Sequence, residues 1–185
     1  MDNPVRPHAS HGTAEPAKPH IREATAMDTD AIVAILIASK EGSFPHLIDD
    51  HDRDVPFWTN RWRRYLSEGS RAQQSRGDGF AFLAESDGRP VGFAAYHHTT
   101  RHGADAELQA IYVLREAQGR GLGTALLWVI GGRLYAEGSR TMCVGYDSRS
   151  PYKRFYLKHG AVEINRHWAR WQDLGMFAQV KAEER

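Results

Sequence analysis

The segment from Ala110 to Thr124 reads AIYVLREAQGRGLGT: an apolar alternation up to Val113, glycines at 119, 121 and 123, then the clearest helical period in the chain. A strand that ends in a glycine turn and opens a helix gathers unpaired N–H groups and the positive helix end at one point, which is a site for phosphate. Spacing excludes two phosphate-binding turns. A P-loop needs Lys followed by Ser or Thr after its second glycine, and none is present. A dinucleotide turn, G-x-G-x-x-G/A, fails from either start: its sixth position is Thr124 counted from Gly119 and Leu126 counted from Gly121.

Two further groups of residues invite a chemical reading. His46, Asp49, Asp50, His51, Asp52 and Asp54 could suggest a metal centre, but the spacing gives no His-Glu-x-x-His helix, and no Gly or terminal Glu stands where a calcium loop needs them. A solvated loop between two helices is the better reading. The single cysteine, Cys143, sits in an apolar stretch where a thiol is ordinarily a small inert hydrophobe, so no acyl-enzyme is expected.

The elements that must position these residues follow from periodicity and turn chemistry. A short strand at 21–24 precedes a helix capped near Asp28 or Thr29, with Ile32, Ile35 and Leu36 on one face and Gly42 past its end. Asp54 and Pro56 open a second helix whose Trp58, Trp62, Tyr65 and Leu66 form an aromatic core stripe before Gly69. Strands at 80–85, 91–96 and 107–113, with a turn at Asp87-Gly88, predict an antiparallel meander. A long helix over 121–137 carries an apolar stripe and ends at Gly138. Gly131-Gly132 inside it costs about 1 kcal/mol each relative to Ala, so either something packs very close there or the helix is weakened. A strand at 141–146, a short helix at 152–159 opened by Ser150-Pro151, and two strands around a turn near 173–175 complete the order.

Composition sets the class. Lys+Arg 24 against Asp+Glu 23 in 185 residues leaves the net charge near zero, which argues against a nucleic-acid coat or an anionic-membrane binder. The 41% hydrophobic content fits one domain, residues 21–185, behind a Pro- and His-rich flexible tail at 1–20 that holds His8, His11 and His20. One cysteine, no spanning apolar run and no secretory stretch point to the cytoplasm.

One pattern fits the glycine turn completely. Gln118-Gly119-Arg120-Gly121-Leu122-Gly123 matches Q/R-x-x-G-x-G/A, and downstream Phe155-Tyr156 followed by Gly160 resembles F-Y-x-x-x-G. On these two motifs the chain resembles the GNAT superfamily of acyl-CoA-dependent N-acyltransferases, most clearly over 80–164. The resemblance implies an α/β fold: a mixed, mostly antiparallel sheet with splayed central strands, here 107–113 and 141–146, flanked by helices. It implies acetyl-CoA as acyl donor and no metal. It places the backbone of Ile111, Tyr112 and Val113 against the pantetheine, and that of Gln118, Gly119, Arg120, Gly121, Leu122, Gly123 and Thr124 around the pyrophosphate. The Arg120 side chain could add a charge there or simply face solvent.

Transfer to an amine needs a proton acceptor, a polarised carbonyl and a proton for the leaving thiolate. By the same resemblance Glu107, eleven residues before Gln118, holds the general-base position, and Tyr156 the general-acid position. Arg149 and Tyr152 depart from the family pattern, which leaves room for Arg149 or Lys153 to meet phosphate. The acceptor is expected to be the primary amine of a small molecule, attacked directly in a ternary complex. The loop at 46–54, and more weakly Trp58, Trp62, His97 and His98, would recognise a cationic acceptor. The alternative is a non-catalytic acyl-CoA sensor. The resemblance admits a homodimer through the C-terminal strands.

Overall fold

Asp87 and Gly88 take positive φ, 52° and 72°, and turn strand β2 (Gly79–Ser86) back into β3 (Arg89–His98). β1 (His20–Glu23) adds to the free edge of β2, and β4 (Ala106–Val113) follows β3, so the expected meander is present. The computed structural model of the protein describes residues 20–43, 45, 48–69 and 79–181; the expectations for residues 1–19 and for His46 fall outside them.

The sheet has seven strands in the order β1-β2-β3-β4-β5-β7-β6, where β5 is Met142–Gly145, β6 Val162–Asn165 and β7 Trp168–Trp171. All neighbours are antiparallel except β4 and β5. That parallel pair holds only from Ala106↔Met142 to Leu108↔Val144, after which β4 runs on to Val113 while β5 stops. The two strands part there, as the fold expectation requires.

Helices cover both faces. Helices α1 (Thr29–Ser43) and α2 (Val55–Gly69) bury Ile32, Leu36, Trp62 and Leu66 against Leu83, Phe93 and Ala95. On the other face α3 (Leu122–Ala136) buries Leu126, Leu127, Ile130 and Leu134 with Trp171, Leu174 and Phe177, and α4 (Lys153–Lys158) adds Tyr156. Among the described residues no helix is long and apolar enough to cross a membrane.

The glycine pair in α3 resolves in favour of close packing: a Cβ on Gly131 would lie 2.3 Å from the Phe177 ring. Helix α1 continues through Gly42 to Ser43, past the glycine expected to end it, with Gly42 beside the Arg115 side chain, 3.8 Å from where a Cβ would stand. The C-terminal turn also differs from expectation. It lies at Arg166-His167, where the Asn165 side chain accepts from the His167 N–H at 2.9 Å, and residues 174–181 are a 3-10 helix. An Asn turn without glycine between two exposed-to-mixed short strands carries little local signal.

Candidate active site

The site is built on the gap between β4 and β5. Beyond Leu108 the outer edge of β4 has no strand partner, and the gap widens into a cleft of about 730 Å³. Its far end is the glycine turn. The Gln118 side chain donates to the Val113 carbonyl at 2.9 Å and closes the turn. Gly119 and Gly121 take φ of 75° and 80°, and a Cβ on either would meet nothing within 4 Å, so glycine serves the backbone path and not a packing contact. Gly121 is the N-cap of α3 and no side chain caps the helix, so its first-turn amides are left for an anion.

Of the residues expected to hold the acyl donor, Ile111, Tyr112, Val113, Gln118, Gly119, Gly121, Leu122, Gly123 and Thr124 all line this cleft. Arg120 is exposed and lies outside the lining. The phosphate alternatives raised for two departing residues are occupied otherwise: Arg149 grips Asp147 through Nε and Nη2 at 3.1 and 2.8 Å, and Lys153 pairs with Glu163 at 2.5 Å.

Tyr156 stands in the cleft wall, buried, packed edge-on to Phe155 and Trp171. Burial, and then the neighbouring Tyr112, push its phenol well above the ordinary tyrosine range, so it keeps its proton at neutral pH. Tyr112 itself is pushed up to about 12, by burial and then by Asp52.

Glu107 sits one residue below the point where the strands part and does not line the cleft. A bulge decides which way it faces. Ala95 pairs with Ala110 and Tyr96 with Leu108, so Gln109 is extra and the strand's alternation is reset. Glu107, Ala110 and Tyr112 therefore share the face that carries α1 and α2. The Glu107 side chain is buried, and its Oε2 has no hydrogen-bond partner, with His97 Nε2 at 3.8 Å and Arg101 Nε at 3.6 Å. Burial lowers the proton affinity of His97, against the pull of Glu107. Cys143, beside Glu107 in the sheet, is fully buried and pushed up to about 11 by burial and then by Glu107, which keeps it a thiol.

The acidic loop does structural work. Asp52 pairs with Lys40 at 2.5 Å, and its carbonyl accepts from the Trp58 indole. Asp54 caps α2 through the Phe57 N–H at 2.9 Å, and His51 packs on Phe57. Among the described residues no group of three or more His, Cys, Asp or Glu side chains converges on a metal position. Lys40 and Asp52 nonetheless line the cleft, with Ser39 and Ser43 of α1. The Tyr152 hydroxyl donates to Ser43 Oγ at 2.9 Å and straps the start of α4 to the end of α1. Sequence reasoning flagged Asp52 and Tyr152 without this role. Ser39, Lys40 and Ser43 carried no signal, because nothing local distinguishes them from any helix surface.

The sequence model of the Acetyltransferase (GNAT) family matches residues 44–161. No curated protein matches the chain significantly. Solved structures share the fold. The PaiA N-acetyltransferase of Thermoplasma acidophilum, in complex with coenzyme A, is 16% identical, with 84% of this chain and 99% of that chain covered at a TM-score of 0.67. A GNAT-family acetyltransferase of Staphylococcus aureus Mu50 is 17% identical over 85% of this chain and 99% of its own, TM-score 0.66. A GNAT-family acetyltransferase of Brucella melitensis in complex with acetyl-CoA is 20% identical, covering 83% and 86%, TM-score 0.54. With a family match over well more than half of its length, set on the parted strands and glycine turn described above, the chain belongs to the GNAT family of acetyltransferases.

Proposed function

We propose that the protein, as one domain over residues 21–185 acting in the cytoplasm, transfers acetyl from acetyl-CoA to the primary amine of a small molecule. The observation that carries this is the parting of β4 and β5 beyond Leu108, with the glycine turn at one end of the gap, Tyr156 in its wall and a buried carboxylate beneath it. The cleft fits the donor. Uncapped amides at the start of α3 suit a pyrophosphate, and the free edge of β4 suits an amide-bearing arm such as pantetheine. Related folds with coenzyme A and acetyl-CoA in place support the same reading.

In the ternary complex the acceptor nitrogen attacks the thioester carbonyl and the C–S bond breaks. Glu107 takes the ammonium proton directly or through one water, which requires the acceptor to reach it from the α2 face. Tyr156 gives its proton to the departing sulfur. Burial makes this phenol a weaker acid than a free tyrosine, so its proton moves in concert with C–S cleavage, and a buried thiol at Cys143 offers no competing acyl-enzyme route. A homodimer through the C-terminal strands belongs to the same reading: β6 is an exposed edge strand with Val162 53% and Ile164 43% accessible.

Thermal unfolding with acetyl-CoA, CoA, NAD and ATP tests the donor. Saturation at 100 times the dissociation constant adds about 2.7 kcal/mol, so the CoA compounds alone should raise Tm by several degrees. A larger shift with NAD or ATP, or none with CoA, would end the transferase reading. A thiol-release assay with Tyr156→Phe then separates an enzyme from an acyl-CoA sensor: turnover drops in an enzyme while CoA stabilisation persists.

A further inference from the structure

Four neighbouring strands bring one residue each to the same level on the α2 face. His97 pairs with Glu107, Glu107 with Cys143, and Cys143 with Arg170, and the flanking residues Tyr96, Leu108, Met142, Ala169 and Trp171 all face the opposite core. The row therefore reads imidazole, carboxylate, small thiol, guanidinium, with strands spaced about 4.8 Å apart. The thiol is the smallest of the four, and the carboxylate and guanidinium flank it.

Arg101 reaches over this row. Its Nε is 3.6 Å from Glu107 Oε2, and its guanidinium lies 5.0 Å from the Trp168 ring centre. Half of its side chain is still exposed, 54%, whereas that of Glu107 is 11%. Arg170, on the other side of the thiol, donates to the His102 carbonyl at 2.9 Å, and no described carboxylate pairs with it. A third cation, Arg61, stands on the exposed side of α2 with its guanidinium 5.9 Å from the Trp58 ring centre. Arg101 thus stands beside a buried carboxylate whose Oε2 has no hydrogen bond, and Arg170 lies two strands away on the same face. That surplus of arginine over carboxylate repels a polycation. It suits a molecule that brings its own ammonium to Glu107 and its own anion to the arginines.

We propose that the acceptor is a small zwitterion, an amino acid, whose ammonium displaces Arg101 to reach the unpartnered Oε2 of Glu107 and whose carboxylate takes Arg101 and Arg170. This rests on the transferase reading above and reverses the expectation of a cationic acceptor. Arg101 stands near Glu107 where the ammonium will stand. On binding, one long ion pair is exchanged for two charge-assisted contacts, and Arg101 needs only a side-chain rotation because its outer half is already in solvent.

The test is acetyl-CoA-dependent thiol release with the twenty free amino acids, their α-amides, and spermidine. At least one free acid is expected to exceed its own amide by about 100-fold in kcat/KM, and spermidine to be a poor substrate. Arg101→Gln and Arg170→Gln should each raise KM for that acid about 10-fold or more and narrow the acid-to-amide ratio. Arg61→Gln, on an exposed helix face, should have a smaller effect in the same direction. Stabilisation by CoA reports that each variant is folded, and the wild-type ratio alone decides if one is not. Amides or spermidine used as well as free acids, no amino acid accepted by a protein that acetyl-CoA stabilises, or a ratio unmoved in both folded variants overturns the proposal. Failure of acetyl-CoA to stabilise the wild type is a different result, and removes the transferase reading itself.

Discussion

The donor cleft and the proposed acceptor face adjoin the same parted strands, yet they are made differently. The donor-holding part of the cleft is backbone, the free edge of β4, the glycine turn and the uncapped start of α3, and it comes from one continuous stretch of chain, while α1, β5 and α4 supply the walls around it. The proposed acceptor face is side chains, supplied by β3, the loop after it, β4, β5 and β7. A backbone site tolerates side-chain exchange as long as the path is kept, so it stays readable as a motif. A side-chain site gathered from distant segments changes with each residue, and this is where one transferase would differ from another.

The largest expected effects fall where the two halves meet. Glu107→Gln and Tyr156→Phe should each lower kcat by about 10²-fold or more, since each removes a proton-transfer group, while acetyl-CoA still raises Tm. Steady-state kinetics with a working acceptor check both. A loss of CoA binding in either variant would show that the division between donor and acceptor halves is drawn in the wrong place.

Next come changes that disturb the scaffold of the cleft. Gly131→Ala places a methyl 2.3 Å from the Phe177 ring. It should cost about 2 kcal/mol by urea unfolding, even after the gain of about 1 kcal/mol in helix propensity. Gly121→Ala meets no neighbour, so its cost is the positive φ of 80° alone, about 1 kcal/mol. Its sharper readout is weaker CoA binding by calorimetry, because the uncapped amides of α3 start at this residue.

The smallest effect lies far from both halves. Asp28 accepts from Arg22 at 2.7 and 2.9 Å, and this hydrogen-bonded pair holds its carboxyl at about 2. A lowered carboxyl stabilises the fold above its ordinary value near 3.8, and that stabilisation fades as pH falls toward 2. Asp28→Asn should cost about 1 kcal/mol at pH 7, allowing for the part-exposed position, and should flatten the acid limb of a Tm-versus-pH curve between pH 4 and 2. CoA binding and turnover serve as the comparison. If they change as much as stability does, the β1 edge is coupled to the site.

Much of this fold was legible because its signals are local. The Asp87-Gly88 hairpin, the stripe of α3 and the glycine turn each depend on residues within a dozen positions of one another. Gly131 shows the limit of such reading: the sequence posed the choice between close packing and a weak helix, and Phe177, more than forty residues away, decided it. The turn at Arg166-His167 was missed for a related reason, since its Asn165 side-chain bond leaves no glycine or proline to read.

The sequence by itself determined the order of elements and the glycine turn, because periodicity and turn spacing are properties of the chain, while resemblance to the GNAT family named the two proton-transfer candidates. Tertiary structure alone decided which face Glu107 occupies. That depended on one bulged residue, Gln109, which resets the alternation of β4 only when β3 pairs beside it. It also decided the company that Glu107 keeps: Arg101 approaches it from the loop just before β4, and Cys143 and Arg170 stand next in the row from distant strands, because an electrostatic environment is a sum over space, not along the chain.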